Sequence, residues 1–187
     1  SNMLINKRTV EKMKDYYGKI YSNDEILAAI KKFPFKYEFI DENKKYNTIA
    51  YLIFRNEVVG WFQGRSEFGP RALGNRSILA NPLNSKMKYI LDLHIKQRDR
   101  YRPYAPVVLE EYTKKYFDID GISPVMMSGG KVLTKDFPAI THVDGSARVQ
   151  TLSQKDNESF YKLVKSFHEI SGFPIILNTS FNLPGEP

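Results

Sequence analysis

The sequence contains no cysteine among its 187 residues. This absence excludes disulfide bonds, thiolate nucleophiles, and zinc or iron–sulfur sites held by cysteine. No run approaches the roughly 18 apolar residues that a membrane-spanning helix needs. The amino terminus lacks the order of basic, apolar and small residues that marks a signal peptide. We therefore expect a cytoplasmic protein without a membrane partner.

Acidic residues are also few. The sequence has 21 of them against 28 lysines and arginines, which gives a net charge of +7. An excess of this kind favours an anionic partner. The lysines are scattered, whereas the arginines concentrate in the least regularly patterned stretches, at Arg65, Arg71, Arg76, Arg98, Arg100, Arg102 and Arg148. A guanidinium binds phosphate or carboxylate oxygens two at a time and keeps its charge when partly buried. This concentration therefore predicts an anion site.

The composition predicts one globular domain. With 42% hydrophobic and 13% aromatic residues, the chain has enough apolar surface for one core and is too short for two large ones. Ser1 and Asn2, which precede Met3, resemble the scar left by a cleaved tag. We assign residues 1–21 to this scar and a connecting arm, and residues 22–187 to the domain.

Hydrophobic periodicity and turn residues predict an alternation of helices and strands. The predicted helices cover 22–33, 43–54, 84–95 and 156–171, with one or two helical turns at 110–117. The predicted strands cover 58–62, 104–109, 124–127, 148–152 and 173–177, with a turn at Gly129-Gly130. The alternation lacks the regular order of a doubly wound sheet, so we predict an α/β fold with a mixed, twisted sheet.

The loop from Gly64 to Ser77 is the first candidate site. Its glycines allow a ligand to approach the backbone closely, and Arg65, Arg71 and Arg76 can surround an anion. Glu67 is the one acid among them. The loop is therefore either an exposed basic patch or a phosphate-binding loop. Its glycine spacing matches neither the phosphate loop of nucleotide triphosphatases nor the dinucleotide fingerprint.

A second candidate is the segment in which Lys96, Arg98, Arg100 and Arg102 occupy alternate positions. These residues form either a solvated basic edge or the lining of a cleft. Tyr101 and Tyr104 lie beside them, and aromatic rings next to basic side chains are also typical of surfaces that stack nucleic-acid bases. A basic nucleic-acid-binding module is therefore an alternative function.

Two further groups carry polar chemistry. His142 and Asp144 can form an acid–base pair or bind a metal, but one histidine and one carboxylate fall short of a ligand set, and we predict no metal site. Asn178, Ser180 and Asn182 alternate as a predicted strand ends. They are either ligand contacts at the carboxyl end of a strand or an asparagine-rich turn.

Four segments are recognisable as motifs: GWFQGRSEFGPRALGNRSIL (60–79), IKQRDRYRPYAPVVLEE (95–111), AITHVDGSARVQTL (139–152) and GFPIILNTSFNLPGEP (172–187). In this order they resemble the carboxy-terminal domain of the carbamoyltransferase family that includes nodulation and antibiotic-tailoring O-carbamoyltransferases. The resemblance covers residues 22–187.

The resemblance implies a YrdC-like fold, a twisted open mixed sheet with flanking helices. It also implies that the domain uses ATP and carbamoyl phosphate to form carbamoyl-adenylate. In this family a separate amino-terminal domain, similar to Kae1 and the sugar kinases, binds iron and passes the carbamoyl group to an acceptor hydroxyl. That domain is missing here and is the expected partner in cis or in trans. We expect the present chain to be truncated at its carboxyl end and not to complete the transfer alone.

Position within the motifs implies the site residues. Lys96, Arg71 and Arg102 are the expected catalytic residues. The expected substrate and nucleotide contacts are Arg65, Arg76, His142, Arg148, Asn178, Ser180 and Asn182. Mg²⁺ is expected on the ATP phosphates with no protein ligand identified, and nucleic acid is not expected as a partner. A catalytically silent interaction domain is the remaining alternative.

Overall fold

A computed structural model describes residues 16–99, 101–182, 184 and 186. Predictions for residues 1–15 and for Arg100 lie outside these residues. The strands are β1 (Val59–Phe62), β2 (Arg76–Ala80), β3 (Ala105–Leu109), β4 (Phe117–Asp118), β5 (Ser128–Val132), β6 (Ser146–Leu152) and β7 (Ile175–Ser180). The helices are α1 (Asn23–Ile30), α2 (Glu42–Phe54), α3 (Met87–Ile90), α4 (Thr113–Tyr116) and α5 (Glu158–Ser171).

The seven strands form one mixed sheet in the order β1-β2-β7-β3-β6-β5-β4. Neighbours β3 and β6 are parallel, and every other neighbouring pair is antiparallel. The central strands are buried on both faces, as continuous apolar runs predict. Val107 packs against the side of the sheet that carries α2 and α5, and Val108 packs on the opposite side with α3.

Several helices follow their sequence signals closely. Ser22 caps α1, since its hydroxyl accepts from Glu25 N at 3.2 Å while the Glu25 carboxylate accepts from Ser22 N at 2.8 Å. Asn157 caps α5 by accepting from Phe160 N at 3.1 Å. Gly172 ends α5 in the left-handed conformation with φ of +80°. The predicted stripe of α2 is also confirmed, because Ala50 and Ile53 are buried against α5 and the sheet.

Helix α1 corrects one prediction. It ends at Ile30, three residues before the predicted end, and it buries none of its residues. Ile26 and Phe33, which belong to the predicted apolar face, are 38% and 58% exposed. The spacing of apolar residues therefore identified the helix correctly, but not its burial.

The predicted strand at 124–127 is wrong, and so is the turn at Gly129-Gly130. Met126 takes the left-handed conformation with φ of +57°, which no strand accommodates. The strand lies instead at Ser128–Val132 and includes both glycines. Gly130 is required there because a Cβ atom at this position would lie 1.8 Å from the Asp118 carbonyl oxygen.

Other strands also differ from their predictions. Strand β4 was not predicted, and its first residue, Phe117, is the last residue of the predicted helical turns at 110–117. Strand β2 was not predicted, because its short apolar run, which ends at Ala80, directly follows the glycine-rich loop and was not separated from it. Strand β7 starts two residues late and continues to Ser180, so Asn178 and Ser180 lie in the strand and not in a following loop. Strand β1 is an edge strand in which Trp61 alone is buried.

The predicted helix at 84–95 has two parts. The α-helical part ends at Ile90, and the chain continues as a π-helical segment from Leu91 to Lys96. Gln97 ends this segment in the left-handed conformation, with φ of +44°. Within the part of the chain that the structure describes, no helix is long and apolar enough to cross a membrane.

Replacing Gly130 by Ala is expected to lower the free energy of unfolding by about 1–3 kcal/mol, because the new methyl group meets backbone. Gly129→Ala is the matched control, since a Cβ there would lie 3.3 Å from the nearest atom, the Ala147 carbonyl oxygen. Urea denaturation measures both. An equal decrease in the free energy of unfolding of the two variants would contradict the packing of β4 against β5.

Candidate functional site

The loop from Gly64 to Ser77 is fixed by buried side chains. Three consecutive carbonyl oxygens accept hydrogen bonds: Ala72 from Asn178 Nδ2 at 3.0 Å, Leu73 from Gln150 Nε2 at 3.1 Å, and Gly74 from Trp61 Nε1 at 2.8 Å. The donors come from strands β7, β6 and β1. The loop is therefore attached to the sheet on the face that carries α2 and α5.

Glu67 organises the same loop from within. Its Oε1 accepts backbone N–H groups from Leu73 at 2.7 Å, Asn75 at 2.8 Å and Arg76 at 3.1 Å. The sequence identified Glu67 only as the one acid among these arginines, and the structure shows that its carboxylate accepts from main-chain donors. No pattern in the sequence distinguishes these two uses of one acid.

A cavity of about 120 Å³ lies between this loop, the chain entering β3, and the ends of β6 and β7. We call it the arginine cavity, because four arginines line it: Arg71, Arg98, Arg102 and Arg148. Asn178 and Ser180 line it as well. Among the described residues, no carboxylate does so.

The positive charge of the arginine cavity is largely uncompensated. The guanidinium groups of Arg71 and Arg102 make no hydrogen bond or ion pair with described residues. Arg148 is half-buried, and burial together with the charge of Arg71 lowers its pKa. Arg98 differs, because its Nε lies 3.4 Å from Oδ1 of buried Asp92. An anion in the cavity would relieve repulsion that the protein itself leaves in place.

Tyr101 and Tyr104 do not form the base-stacking surface that the alternative function would need. Tyr101 is 82% exposed, but Tyr104 is 2% exposed. The Tyr104 hydroxyl donates to Asp92 Oδ1 at 2.7 Å, and the Arg98 guanidinium lies 4.4 Å from the centre of the Tyr104 ring. Burial and this hydrogen bond raise the pKa of Tyr104. Tyr104 therefore offers no free ring for stacking a nucleic-acid base.

A second cavity of about 200 Å³ adjoins the first and shares Arg71 and Ser180 with it. Arg76 and Asn182 line this second cavity. The Arg76 guanidinium donates to the carbonyl oxygens of Gln63, Asn75 and Gly64 at 2.7, 2.9 and 3.1 Å. It also lies 3.5 Å from the centre of the Phe62 ring. Arg76 thus supports the loop, and burial lowers its pKa.

Lys96 lines neither cavity. Its side chain is buried, and its ammonium donates to the carbonyl oxygens of Ser180 and Asn182 at 2.5 and 3.2 Å. It also donates to Ser180 Oγ at 3.3 Å and to Asn182 Oδ1 at 2.7 Å. Burial, and then the charges of Arg98 and Arg102, lower its pKa to about 8. Lys96 therefore holds the end of β7 against the basic segment, and its predicted catalytic role stays a prediction.

Arg65 and His142 lie apart from both cavities. Arg65 is exposed and donates to the Gly18 carbonyl oxygen at 3.0 Å. His142 belongs to the turn before β6, where its N–H donates to the Ser146 carbonyl oxygen at 2.8 Å. Its Nε2 is buried and has no hydrogen-bond partner in the part of the chain that the structure describes, and burial lowers its pKa. Asp144 accepts from Ser146 N and Oγ, so it stabilises this turn.

The residues that the structure describes bring no three metal-ligating side chains together. The arginine cavity offers a cation no carboxylate oxygen. Glu67 lines the second cavity, but its Oε1 already accepts three N–H groups. These residues do not fit a protein-held Mg²⁺ site.

The comparisons with known proteins agree with the motifs. The family described as carbamoyltransferase C-terminus matches residues 50–187, which is more than half of the chain. The chain belongs to this carbamoyltransferase family. Nodulation protein NolO of Bradyrhizobium diazoefficiens is 46% identical over 136 residues, which cover 70% of this chain and 25% of NolO.

The 3'-hydroxymethylcephem-O-carbamoyltransferase of Amycolatopsis lactamdurans is 45% identical over 130 residues, which cover 69% of this chain and 25% of that enzyme. The chain spans 20% to 35% of the length of the curated relatives that it matches. It therefore corresponds to one part of longer proteins.

The fold has a counterpart among solved structures. Full-length HypF, in its phosphate- and nucleotide-bound form, is similar over 82% of this chain and 19% of the HypF chain, with a TM-score of 0.53 and 19% identity. This similarity concerns the fold alone. It confirms the predicted α/β, YrdC-like class of open mixed sheet with flanking helices.

Lys96 makes the stability of the protein depend on pH. Its pKa is about 8 in the folded protein against an ordinary value of 10.5, so the unfolded chain binds this proton more tightly. The contribution of Lys96 to the free energy of unfolding therefore rises with pH between these two values. Wild type should gain stability relative to Lys96→Met between about pH 7.5 and about pH 9.5 in urea denaturation. A difference between the two proteins that is constant with pH would contradict this assignment.

Replacing Glu67 tests whether its carboxylate shapes the loop or merely adds negative charge. If the charge dominates, Glu67→Ala should bind tripolyphosphate more tightly. We expect the opposite, about a tenfold weaker affinity, because the N–H groups of residues 73, 75 and 76 lose their acceptor and Arg71 loses its position. Glu67→Gln keeps one acceptor oxygen and should retain most of the affinity. Titration calorimetry measures all three proteins.

Proposed function

We propose that this chain is the adenylate-forming part of an O-carbamoyltransferase. It binds the phosphates of ATP in the arginine cavity and converts the carbamoyl group of carbamoyl phosphate into carbamoyl-adenylate. One observation carries this proposal: four arginines from three separate segments meet in one cavity that no described carboxylate lines. The printed names of the relatives, which include an O-carbamoyltransferase, support the same reaction class.

The reaction balances in two steps. Water first cleaves carbamoyl phosphate into carbamate and phosphate. A carbamate oxygen then attacks the α-phosphorus of ATP, the bond from that phosphorus to the bridging oxygen breaks, and pyrophosphate leaves. Negative charge increases on the leaving oxygens in the second step, so fixed guanidinium groups stabilise the transition state. Arg71 and Arg102 suit this task, because their guanidinium groups have no hydrogen-bond or ion-pair partner among the described residues and line the cavity.

The size of the cavity limits what it holds. Small-molecule sites usually enclose roughly 300–1,000 Å³, whereas the arginine cavity encloses about 120 Å³. It is therefore too small for a whole nucleotide, and we infer that it receives phosphate and carbamoyl groups while the nucleoside lies outside it. The HypF structure, described as phosphate- and nucleotide-bound, supports a nucleotide on this fold.

The remaining roles belong to other groups. We assign the transfer from carbamoyl-adenylate to an acceptor hydroxyl to a Kae1-like amino-terminal domain, in cis or in trans. We expect that domain, and not this one, to bind iron. Mg²⁺ would accompany ATP on phosphate oxygens and water, since the described residues of the site do not fit it. Lys96 would act by positioning Ser180 and Asn182, which its ammonium contacts.

Carbamoyl-phosphate-dependent exchange between ATP and labelled pyrophosphate tests the proposal without any acceptor. We expect exchange by the wild type and a loss of about 100-fold or more in Arg71→Ala, because a charge that stabilises the transition state is removed. Arg55→Ala is the control, since this exposed arginine follows α2 and lines neither cavity.

The outcomes separate the alternatives. A wild type that neither binds ATP nor exchanges pyrophosphate would refute the nucleotide site. Binding of a polynucleotide instead, with an affinity that falls steeply with salt, would favour the nucleic-acid module. An equal loss in Arg71→Ala and Arg55→Ala would remove the arginine cavity from the reaction.

A further inference from the structure

Residues 16–21, which precede the predicted start of the domain, lie against the loop that carries Arg71. We call them the docked segment. Both main-chain groups of Gly18 bind this loop: its N–H donates to the Ser66 carbonyl oxygen at 3.1 Å, and its carbonyl oxygen accepts from the Arg65 guanidinium at 3.0 Å. The docked segment is therefore paired with the loop through its main chain.

The contact between the two is close enough to require glycine. A Cβ atom at Gly18 would lie 1.7 Å from Ser66 Oγ and 2.8 Å from both Ser66 Cβ and Ser66 N. Two residues earlier, Tyr16 forms an antiparallel bridge with Glu67, the residue whose carboxylate organises the loop. The docked segment thus runs alongside residues 65–67 in the manner of a paired strand.

The Tyr16 side chain reaches the part of the loop that follows Arg71. Its hydroxyl donates to the Leu73 carbonyl oxygen at 3.2 Å. The same oxygen accepts from Gln150 Nε2 at 3.1 Å, and a carbonyl oxygen has two lone pairs for two such donors. The Leu73 N–H in turn donates to Glu67 Oε1 at 2.7 Å. Three side chains from separate parts of the chain therefore hold Leu73, two residues after Arg71.

Tyr16 also packs behind the arginine cavity. It is partly buried against a small apolar cluster that consists of Leu73, Ala105 and Met126. Ala105 and Met126 line the arginine cavity, as Arg71 does, whereas Tyr16 does not. Tyr16 therefore supports both the loop and one wall of the cavity from outside it.

Two ring contacts extend this attachment at the surface. The centres of the Tyr17 and Phe68 rings are 6.1 Å apart, and those of the Tyr21 and Phe62 rings are 6.0 Å apart. Phe68 lies in the loop and Phe62 in β1. All four residues are between 43% and 75% exposed. Tyr16, which is the more deeply packed, is therefore the main side-chain contact of the docked segment.

These contacts concern the loop more than the main core. None of residues 16–21 is fully buried. Tyr16 packs against the small cluster at Leu73, whereas the two large clusters on the sheet faces consist of other residues. Undocking would therefore release the loop while the sheet stays folded. A site made of converging charges loses affinity when the loop that carries one of them samples other conformations.

We propose that the docked segment belongs to the anion site and that Tyr16 is a positioning residue for Arg71. Tyr16 holds the Leu73 carbonyl, the loop keeps its conformation, and the Arg71 guanidinium stays at the arginine cavity. This inference rests on the proposed function, since it concerns how the same cavity binds phosphates. It adds that residues 16–21 act on ligand binding although none of them lines either cavity.

Coupling between docking and binding acts in both directions. If undocking weakens anion binding by a given factor, a bound anion disfavours undocking by the same factor. A segment that only stabilises the fold has no such link to the ligand. Docking holds the Gly18 N–H on the Ser66 carbonyl oxygen, so the hydrogen-exchange rate of Gly18 reports which role the segment has.

Titration calorimetry with tripolyphosphate compares variants of the full 187-residue chain. Tyr16→Phe loses one hydrogen bond and keeps the ring, so its affinity should fall by about 2- to 12-fold. Tyr16→Ala also loses the packing and should have the larger effect, about tenfold or more. Tyr51→Ala, which changes an exposed tyrosine of α2, is the matched control and should bind as wild type does.

Hydrogen exchange followed by NMR tests the reverse direction. Saturating tripolyphosphate should slow exchange of the wild-type Gly18 N–H by about tenfold, the factor expected for loss of the Tyr16 contacts. The Glu25 N–H, which donates to Ser22 Oγ at the start of α1, is the control and should exchange at an unchanged rate. A general gain in stability would slow both amides.

The outcomes separate this inference from the proposed function. Wild-type affinity in Tyr16→Phe would overturn the inference, and this variant keeps the apolar contacts if Tyr16→Ala does not fold. Exchange at Gly18 that tripolyphosphate slows no more than exchange at Glu25 would overturn it as well. In both cases binding of tripolyphosphate and ATP by the wild type leaves the proposed function standing. If the wild type binds neither, the proposed function falls and the inference falls with it.

Discussion

The site depends on a short chain of buried amides that ties an irregular loop to a regular sheet. Asn178 and Gln150 project from β7 and β6, which lie on either side of β3, and they contact each other as well as two consecutive loop carbonyls. Strand pairing fixes the positions of these amides. The amides in turn fix the position of the loop backbone from which the Arg71 side chain projects. A loop rich in glycine and proline thereby acquires a single conformation, which a site made of converging charges requires.

Guanidinium groups that lie close together repel one another, and only some of them are stabilised by contacts within the protein. Arg98 and Arg76 are each held, one by Asp92 and a tyrosine ring, the other by main-chain carbonyls and Phe62. Arg71 and Arg102 have no such support from the residues that the structure describes. The held arginines shape the surroundings, and the unsupported ones remain available to a ligand. Lys96 belongs to the first group, since four oxygens surround its ammonium.

Much of the fold could be predicted from the sequence, because local signals decided it. The caps at Ser22 and Asn157, the stop at Gly172 and the apolar stripe of α2 each depend on neighbours along the chain. The errors arise where distant contacts decide. Met126 is held in a left-handed turn, and Gly130 serves the close approach of Asp118. Among the site residues, the motifs brought forward Arg71, Arg102 and Arg148, which share a cavity, but also Arg65 and His142, which do not line it. Gln150 was missed because its importance lies in a hydrogen bond across strands that no spacing reveals.

The two adjoining cavities have Arg71 and Ser180 in common. A single guanidinium cannot be fully engaged on both sides at once. When a negatively charged group in one compartment draws Arg71 towards itself, the electrostatic potential in the other compartment becomes less positive. An anion in one cavity therefore weakens the attraction of the other cavity for a second anion, because both cavities share the charge of Arg71.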